Sequence, residues 1–213
     1  MKKLPTALTL TLGITLAGCA QAPSTVATTI PLPTPPALSE TARNELADKA
    51  QTSLYEDLTS NYPGVIVPAV TRERFIRLDE FASVMAPCMT AAGFPSYASA
   101  DGGLGGSVKA GDEEPNAVAT YVCTSRFPVD PKYSIPLNKS QITYLYTYQT
   151  AVLTPCLEKA NVTVDPPPTL PEFIDGYLKG SSGGWAPYKN VIAGALGDGI
   201  YKQCPQTPEH LYG

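Results

Sequence analysis

The sequence predicts an α+β chain: a single compact, helix-rich domain with short strands and two disulfides, following a disordered Pro/Thr-rich tether. Three observations carry that expectation. From residue 39 onward apolar residues recur at three- and four-residue spacing, and runs of branched residues are short. An internal echo sets Val84-Met85-Ala86-Pro87-Cys88-Met89 against Val152-Leu153-Thr154-Pro155-Cys156-Leu157. Each echo is followed by a further cysteine, so the domain reads as a pseudo-duplicated helix, strand, helix plan.

The chain opens with Met1-Lys2-Lys3 and an apolar run from Leu4 to Leu16. That run is about half the roughly 20 residues needed to cross a bilayer, so it reads as an export signal over residues 1–18 and not as a membrane span. Leu16-Ala17-Gly18-Cys19 closes it and resembles the lipobox of bacterial lipoproteins. The resemblance implies cleavage before Cys19 and lipidation of the Cys19 sulfur, of the palmitate-bearing diacylglyceryl kind. An ordinary secretory signal with an incidental cysteine is the alternative. Two acyl chains at about 0.8 kcal/mol per buried methylene attach durably, which places the mature protein on the extracytoplasmic side of the cell membrane. Residues 19–38, rich in Ala, Thr and Ser with prolines at 23, 31, 33, 35 and 36, read as an extended tether to an extracytoplasmic domain over 39–213.

Within that domain, Ala42, Leu46, Ala50, Leu54 and Leu58 recur every four positions behind Ser39, a suitable N-cap. This predicts an amphipathic helix that Tyr62-Pro63-Gly64 ends. Val65-Ile66-Val67 and the stretch from Arg74 to Arg77 predict one or two strands. A helix capped by Asp79 then runs through Phe81, Val84, Met85 and Cys88 to Gly93, which suits the left-handed position past a helix end. Asp101-Gly102-Gly103-Leu104-Gly105-Gly106 reads as a loop or hairpin tip between Tyr97 and Val108. Asp112, Glu113, Glu114 and Pro115 open the next helix, their acids facing the positive end of its dipole, and Cys123 falls near its close.

Asn138 and Gln141 form an Asn variant of the capping box and start the longest helical pattern, Ile142, Leu145, Tyr146, Gln149, Val152, Leu153 and Cys156. Pro87 and Pro155 each remove an amide just before a cysteine, so a bend is predicted at both. Val162-Thr163-Val164 predicts a strand. Thr169 with Pro171 starts a short helix that Gly180 stops. Beyond Trp185-Ala186-Pro187-Tyr188 come a weak helix to Ala195 and the Cys204 tail.

Residues 1–18 hold Lys2, Lys3 and no acid, so of 15 basic and 19 acidic side chains the mature chain keeps 13 and 19, a formal charge of −6. This disfavours nucleic acid, and scattered bases disfavour adherence to an anionic bilayer through the domain itself. With Cys19 lipidated, Cys88, Cys123, Cys156 and Cys204 form an even set in an oxidising compartment, where two disulfides are expected. If the halves are related copies, the natural pairing is Cys88–Cys123 and Cys156–Cys204; a bridge between copies is the alternative. Loops of about 36 and 49 residues would each contribute roughly 4 kcal/mol by chain entropy.

No C-x-x-C occurs, and one histidine, His210, cannot complete a zinc set, so neither a metal nor a cofactor is expected. The glycine loop at 102–106 lacks the lysine ending of a phosphate cradle, and Asp101, Asp112, Glu113 and Glu114 do not fit calcium-loop spacing. Serine hydrolysis lacks Ser-x-x-Lys and a base placed to serve a nucleophile, whereas a pair of carboxylates of the glycosidase kind stays open. The twelve tyrosines are an excess. Trp185, Tyr188 and Tyr177 form the candidate binding surface, a ring face with a polar tip suiting sugar or protein, against the alternative that these rings fill the core.

Asp79-Glu80-Phe81 to Cys88-Met89 with Gly93-Phe94, Tyr121-x-Cys123, Phe127-Pro128-Val129-Asp130-Pro131, Pro155-Cys156-Leu157 and Trp185-x-Pro187-Tyr188 together resemble the predicted lipoproteins of Gram-positive actinobacteria, over roughly residues 65 to 205. The resemblance implies a habitat and carries no activity. The expected function is a noncatalytic binding or interaction domain at the cell envelope, its partners the membrane through Cys19 and a cell-wall polymer or envelope protein. The rivals are a cell-wall glycan hydrolase with an unrecognised acid pair, a small-ligand-binding protein, and a structural stalk and cap.

Overall fold

The computed structural model describes residues 30–99, 102–180, 185–191 and 199–213. The export segment, Cys19, the first part of the tether, Asp101, residues 181–184 and most of the expected helix to Ala195 lie outside the described residues.

Helix α1, Glu40–Asn61, starts where Ser39 Oγ accepts the Ala42 N–H at 3.1 Å and ends where Tyr62 N–H reaches Leu58 O at 2.9 Å, Gly64 turning the chain at φ 88°. Its buried stripe differs from the expected one: Ala47 and Leu58 are buried, while Leu46 is 42% exposed. A strict four-residue spacing overshoots the helical repeat by about 40° per step, so five such residues cannot share one flat face. The helix is held in large part by polar and stacking contacts instead. Arg72 donates to Asn44 and Asp48, each at 3.0 Å, and the guanidiniums of Arg43 and Arg72 lie 4.8 and 4.7 Å from the Phe75 ring centroid.

Val65-Ile66-Val67 forms no strand, and Ile66 is 90% exposed. The run lies between Pro63 and Pro68 and its first amide is taken by the turn, Val65 N–H donating to Tyr62 O at 3.1 Å, so no ladder starts there. The Arg74 to Arg77 stretch contributes one parallel bridge, Ile76 to Val129. Ile76 N–H donates to Pro128 O at 3.0 Å and Ile76 O accepts Asp130 N–H at 2.9 Å, with the Ile76 side chain fully buried.

A 3-10 turn at Leu78–Glu80 leads into α2, Phe81–Ala91. The cap differs in detail from expectation: Glu80 accepts the Arg77 backbone N–H at 2.8 Å, and Asp79 pairs with the Arg77 side chain. Gly93, at φ 95°, closes α2 in a Schellman motif, with Phe94 N–H on Met89 O at 2.9 Å and Gly93 N–H on Thr90 O at 3.0 Å. The glycine segment is a hairpin tip. Strands β1, Ser96–Ala98, and β2, Leu104–Gly106, pair antiparallel with Tyr97 opposite Gly105, and the Tyr97 ring occupies the space a Gly105 Cβ would need. Helix α3, Glu113–Arg126, packs on α1 and α2, and Cys123 bonds Cys88. Met85, Met89, Ala119 and Cys123 form this half's core.

The second half opens at α4, Lys139–Tyr148, whose Asn138/Gln141 box is complete: Asn138 Oδ1 accepts Gln141 N–H at 3.0 Å, and Gln141 Oε1 accepts Asn138 N–H at 3.1 Å. The predicted bend at Pro155 takes the form of a π-helical turn, Gln149–Leu153, that leads into α5, Thr154–Lys159. Pro87 sits inside a continuous α2. Asn161, at φ 61°, repeats the Gly93 cap, with Val162 N–H on Leu157 O and Asn161 N–H on Glu158 O, both at 3.0 Å. Val162 to Val164 is extended coil, not a strand.

A Thr169/Glu172 capping box starts α6, Leu170–Leu178, and α7, Gly199–Gln203, brings Cys204 to its bond with Cys156. The within-copy disulfide pairing is therefore the one formed. Two cores fill this half: Ile142, Leu145, Phe173, Trp185 and Leu211 in one, and Leu153, Leu157, Val162, Ile200 and Cys204 in the other. Among the described residues no helix is long and apolar enough to cross a membrane.

The end of the tether is not free of the domain. Residues 30–38 lie as an extended strap along α4: Thr34 N–H donates to Ser140 Oγ at 3.2 Å, Asn138 Nδ2 donates to Thr34 O at 2.8 Å, and Ile30 packs on the Ile142 core. The folded unit thus begins about nine residues earlier than the composition suggested, because alternating prolines pre-order a chain that can lie on a helix at little entropic cost.

Candidate functional site

Between the two halves lies an open cleft of about 810 Å³. Its first wall is built by the turn ahead of α2 and by a second 3-10 turn, Pro131–Ser134, which supply Arg77, Asp79, Phe81, Lys132 and Tyr133. Asp130 starts that second turn by accepting Lys132 N–H at 3.0 Å, and Arg43 of α1 holds Asp130 in turn at 3.4 Å. The opposite wall is Tyr201 of α7 and the tail from Pro205 to Gly213. Gln141, buried under the tail, fixes it by donating to Leu211 O at 2.8 Å.

Three half-buried tyrosines line the cleft beside the apolar side chains of Leu78, Phe81, Pro205 and Pro208. Tyr133 and Tyr212 meet edge to face with centroids 4.8 Å apart, and Tyr201 stacks at 5.4 Å on Tyr188, which lies behind it. Burial raises the Tyr133 and Tyr212 phenols above their ordinary pKa. Lys132 Nζ sits 5.2 Å from the Tyr133 centroid and donates to Gly213 O at 3.0 Å.

The charges on the rim are of both signs and reachable by solvent. Arg77 Nε donates to Asp79 Oδ1 at 2.8 Å, and both side chains are 65% exposed. That hydrogen bond holds the Asp79 carboxyl below the usual carboxylate range; Glu80 is also lowered, by the Arg77 backbone N–H first and by Arg74 next. The cleft therefore offers fixed anions and cations as hydrogen-bonding partners beside apolar ring faces. Among the described residues no three His, Cys, Asp or Glu side chains gather as metal ligands.

The residues expected as an exposed aromatic surface lie elsewhere. Trp185 is 7% exposed, a core residue whose Nε1 donates to Asp165 O at 2.7 Å and whose ring meets Phe173 edge to face, so it presents no face to a ligand. Tyr177 is half-buried against Phe173, and Tyr188 donates its hydroxyl to Cys204 O. Trp185 and Tyr188 spend ring and tip in packing the irregular C-terminal segments, and Tyr177 packs its ring on Phe173. Only the two cysteine pairs occupy the places expected for them, and Cys19 lies outside the described residues. The tyrosine excess was the available signal, but Tyr133 on a 3-10 turn, Tyr201 on α7 and Tyr212 in the tail share no local pattern that singles them out. Compared with known families, with curated proteins and with solved structures, the chain has no match in any of the three.

Proposed function

We propose that this chain is a lipid-anchored extracytoplasmic protein whose domain binds a component of the cell envelope in the cleft between its halves without transforming it. The observation that carries the reading is Leu16-Ala17-Gly18-Cys19 behind a lysine-led apolar run, followed by a proline-rich segment that reaches the domain. The cleft supports it by being roomy, aromatic and polar at its rim, the makeup of a recognition site. A general acid at neutral pH needs a raised carboxyl pKa, whereas the shifts resolved at Asp79 and Glu80 are downward. The hydrolase reading keeps one foothold, because Asp79 and Glu209 both line the cleft.

One preparation tests both readings. The protein expressed from the whole chain partitions with membranes and carries the mass of a diacylglyceryl group, and Cys19→Ser loses both. Incubated with purified cell-wall polymer, it binds and releases no reducing ends. Membrane retention of an unlipidated Cys19→Ser protein defeats the anchor, and sugar release abolished by Asp79→Asn or Glu209→Gln replaces binding with hydrolysis.

A further inference from the structure

We infer that the cleft takes a neutral oligosaccharide chain. This rests on the binding reading above and specifies its ligand. The cleft is open and roomy, about 810 Å³, so a ligand's ends can run on into solvent as a segment of polymer requires. Tyr133, Tyr201 and Tyr212 offer ring surface of the kind on which the C–H face of a sugar rests.

The polar groups choose among ligands that would share such rings. Arg77 and Lys132 donate only, whereas Asp79 and Glu209 accept only, and their formal charges cancel. An anionic ligand would meet two carboxylates and a cationic one two bases. A polyproline peptide, the other natural guest of tyrosine-lined grooves, offers carbonyl acceptors and no N–H, and so gives Asp79 and Glu209 no hydrogen bond. A sugar hydroxyl both donates and accepts, so one chain of neutral sugars satisfies both sets at once. The exposure of Arg77 and Asp79 leaves each free to bond a ligand while keeping its own ion pair.

The test is calorimetric titration of the full mature protein in detergent with four probes: cellotetraose, chitotetraose, tetragalacturonate and decaproline. A neutral tetrasaccharide binds, and saturation transfer from tyrosine ring protons reaches its sugar protons in the unaltered protein. Tyr133→Leu, which keeps apolar bulk and loses the ring, weakens binding about tenfold or more, while Tyr133→Phe stays within about threefold. Saturation transfer on the unaltered protein decides the matter should the leucine variant fold poorly. Tighter binding of tetragalacturonate or decaproline than of either neutral sugar overturns the inference, as does neutral-sugar binding without transfer from tyrosine. If all four probes fail while the immobilised protein still retains purified cell-wall polymer, the ligand class is wrong and the binding reading stands. If the polymer fails too, both fall.

Discussion

At the scale of single residues, the tyrosine surplus is explained by carbonyl groups that have no sheet to enter. The chain has 22 prolines and, among the described residues, one two-stranded ladder, so its irregular segments need other partners for their backbone oxygens. Tyr146 donates to Pro168 O and Tyr148 to Pro205 O, both at 2.7 Å, Trp185 to Asp165 O, and Tyr188 to Cys204 O and Ile200 O. Each ring fills a core while its tip ties down a loop. Tyr188→Phe keeps the packing and removes the tie, so it costs about 1–2 kcal/mol in urea unfolding. The pH dependence follows from the same contacts. Burial, with Tyr201 and Tyr148 close by, pushes the Tyr188 phenol up to about 12, so folding favours its protonated form. That stabilisation is whole below the ordinary phenol pKa of about 10 and is lost as the pH climbs toward 12. Tyrosinate absorbance of the native protein therefore shows a late step that coincides with alkaline unfolding, and Tyr188→Phe lowers its amplitude by one phenol, the raised Tyr133 and Tyr212 phenols keeping their share. A late step of unchanged amplitude in the variant assigns the most perturbed phenol elsewhere.

At the scale of elements, what could be read from the residues was what local chemistry decides. The caps at Ser39 and Asn138, the Thr169 start and the left-handed stops at Gly93 and Asn161 all depend on groups within a few positions, and all five form. The strands were harder because a strand needs a partner edge. Val65 to Val67 and Val162 to Val164 have strand composition but meet no partner, whereas Ser96–Ala98 is held by a glycine-rich strand with little strand propensity of its own. Position in the echo placed the cysteines correctly for a topological reason: each pair staples a proline-containing helix to a helix end within the same half. The two staples lie in separate cores, so their effects add. Replacing Cys88 and Cys123 by alanine costs about 3–4 kcal/mol, replacing Cys156 and Cys204 a similar amount, and the quadruple variant loses the sum, read from denaturant midpoints. A quadruple variant no worse than either pair would mean that the halves unfold as one staple-independent unit.

At the scale of the whole molecule, the cleft between the halves was illegible in the sequence because no local pattern marks it. Its walls are two short turns and a tail, brought together by Arg43 on Asp130 and by Gln141 on Leu211, contacts across 87 and 70 positions. The strap was hidden for a related reason: composition reports that Ile30 to Leu38 has no helix or strand of its own, not that a groove along α4 will receive it. Pro35 and Pro36 line a recess with Tyr212 and Gln141, so the strap braces the outer side of the same tail that forms the cleft wall. Removing the strap costs the burial of Ile30, about 1.5 kcal/mol at most for a partly covered side chain, and two exposed hydrogen bonds worth about 0.5 kcal/mol each. A protein beginning at Ser39 should accordingly unfold about 2 kcal/mol more easily than one beginning at Ile30. Its loss of amide protection should concentrate at the first turn of α4 and in the tail around Leu211, read by hydrogen exchange, while α2 and α3 on the far side stay as protected as before. Equal midpoints and equal exchange in the two proteins would mean that the strap merely rests on the domain and bears no part of its stability.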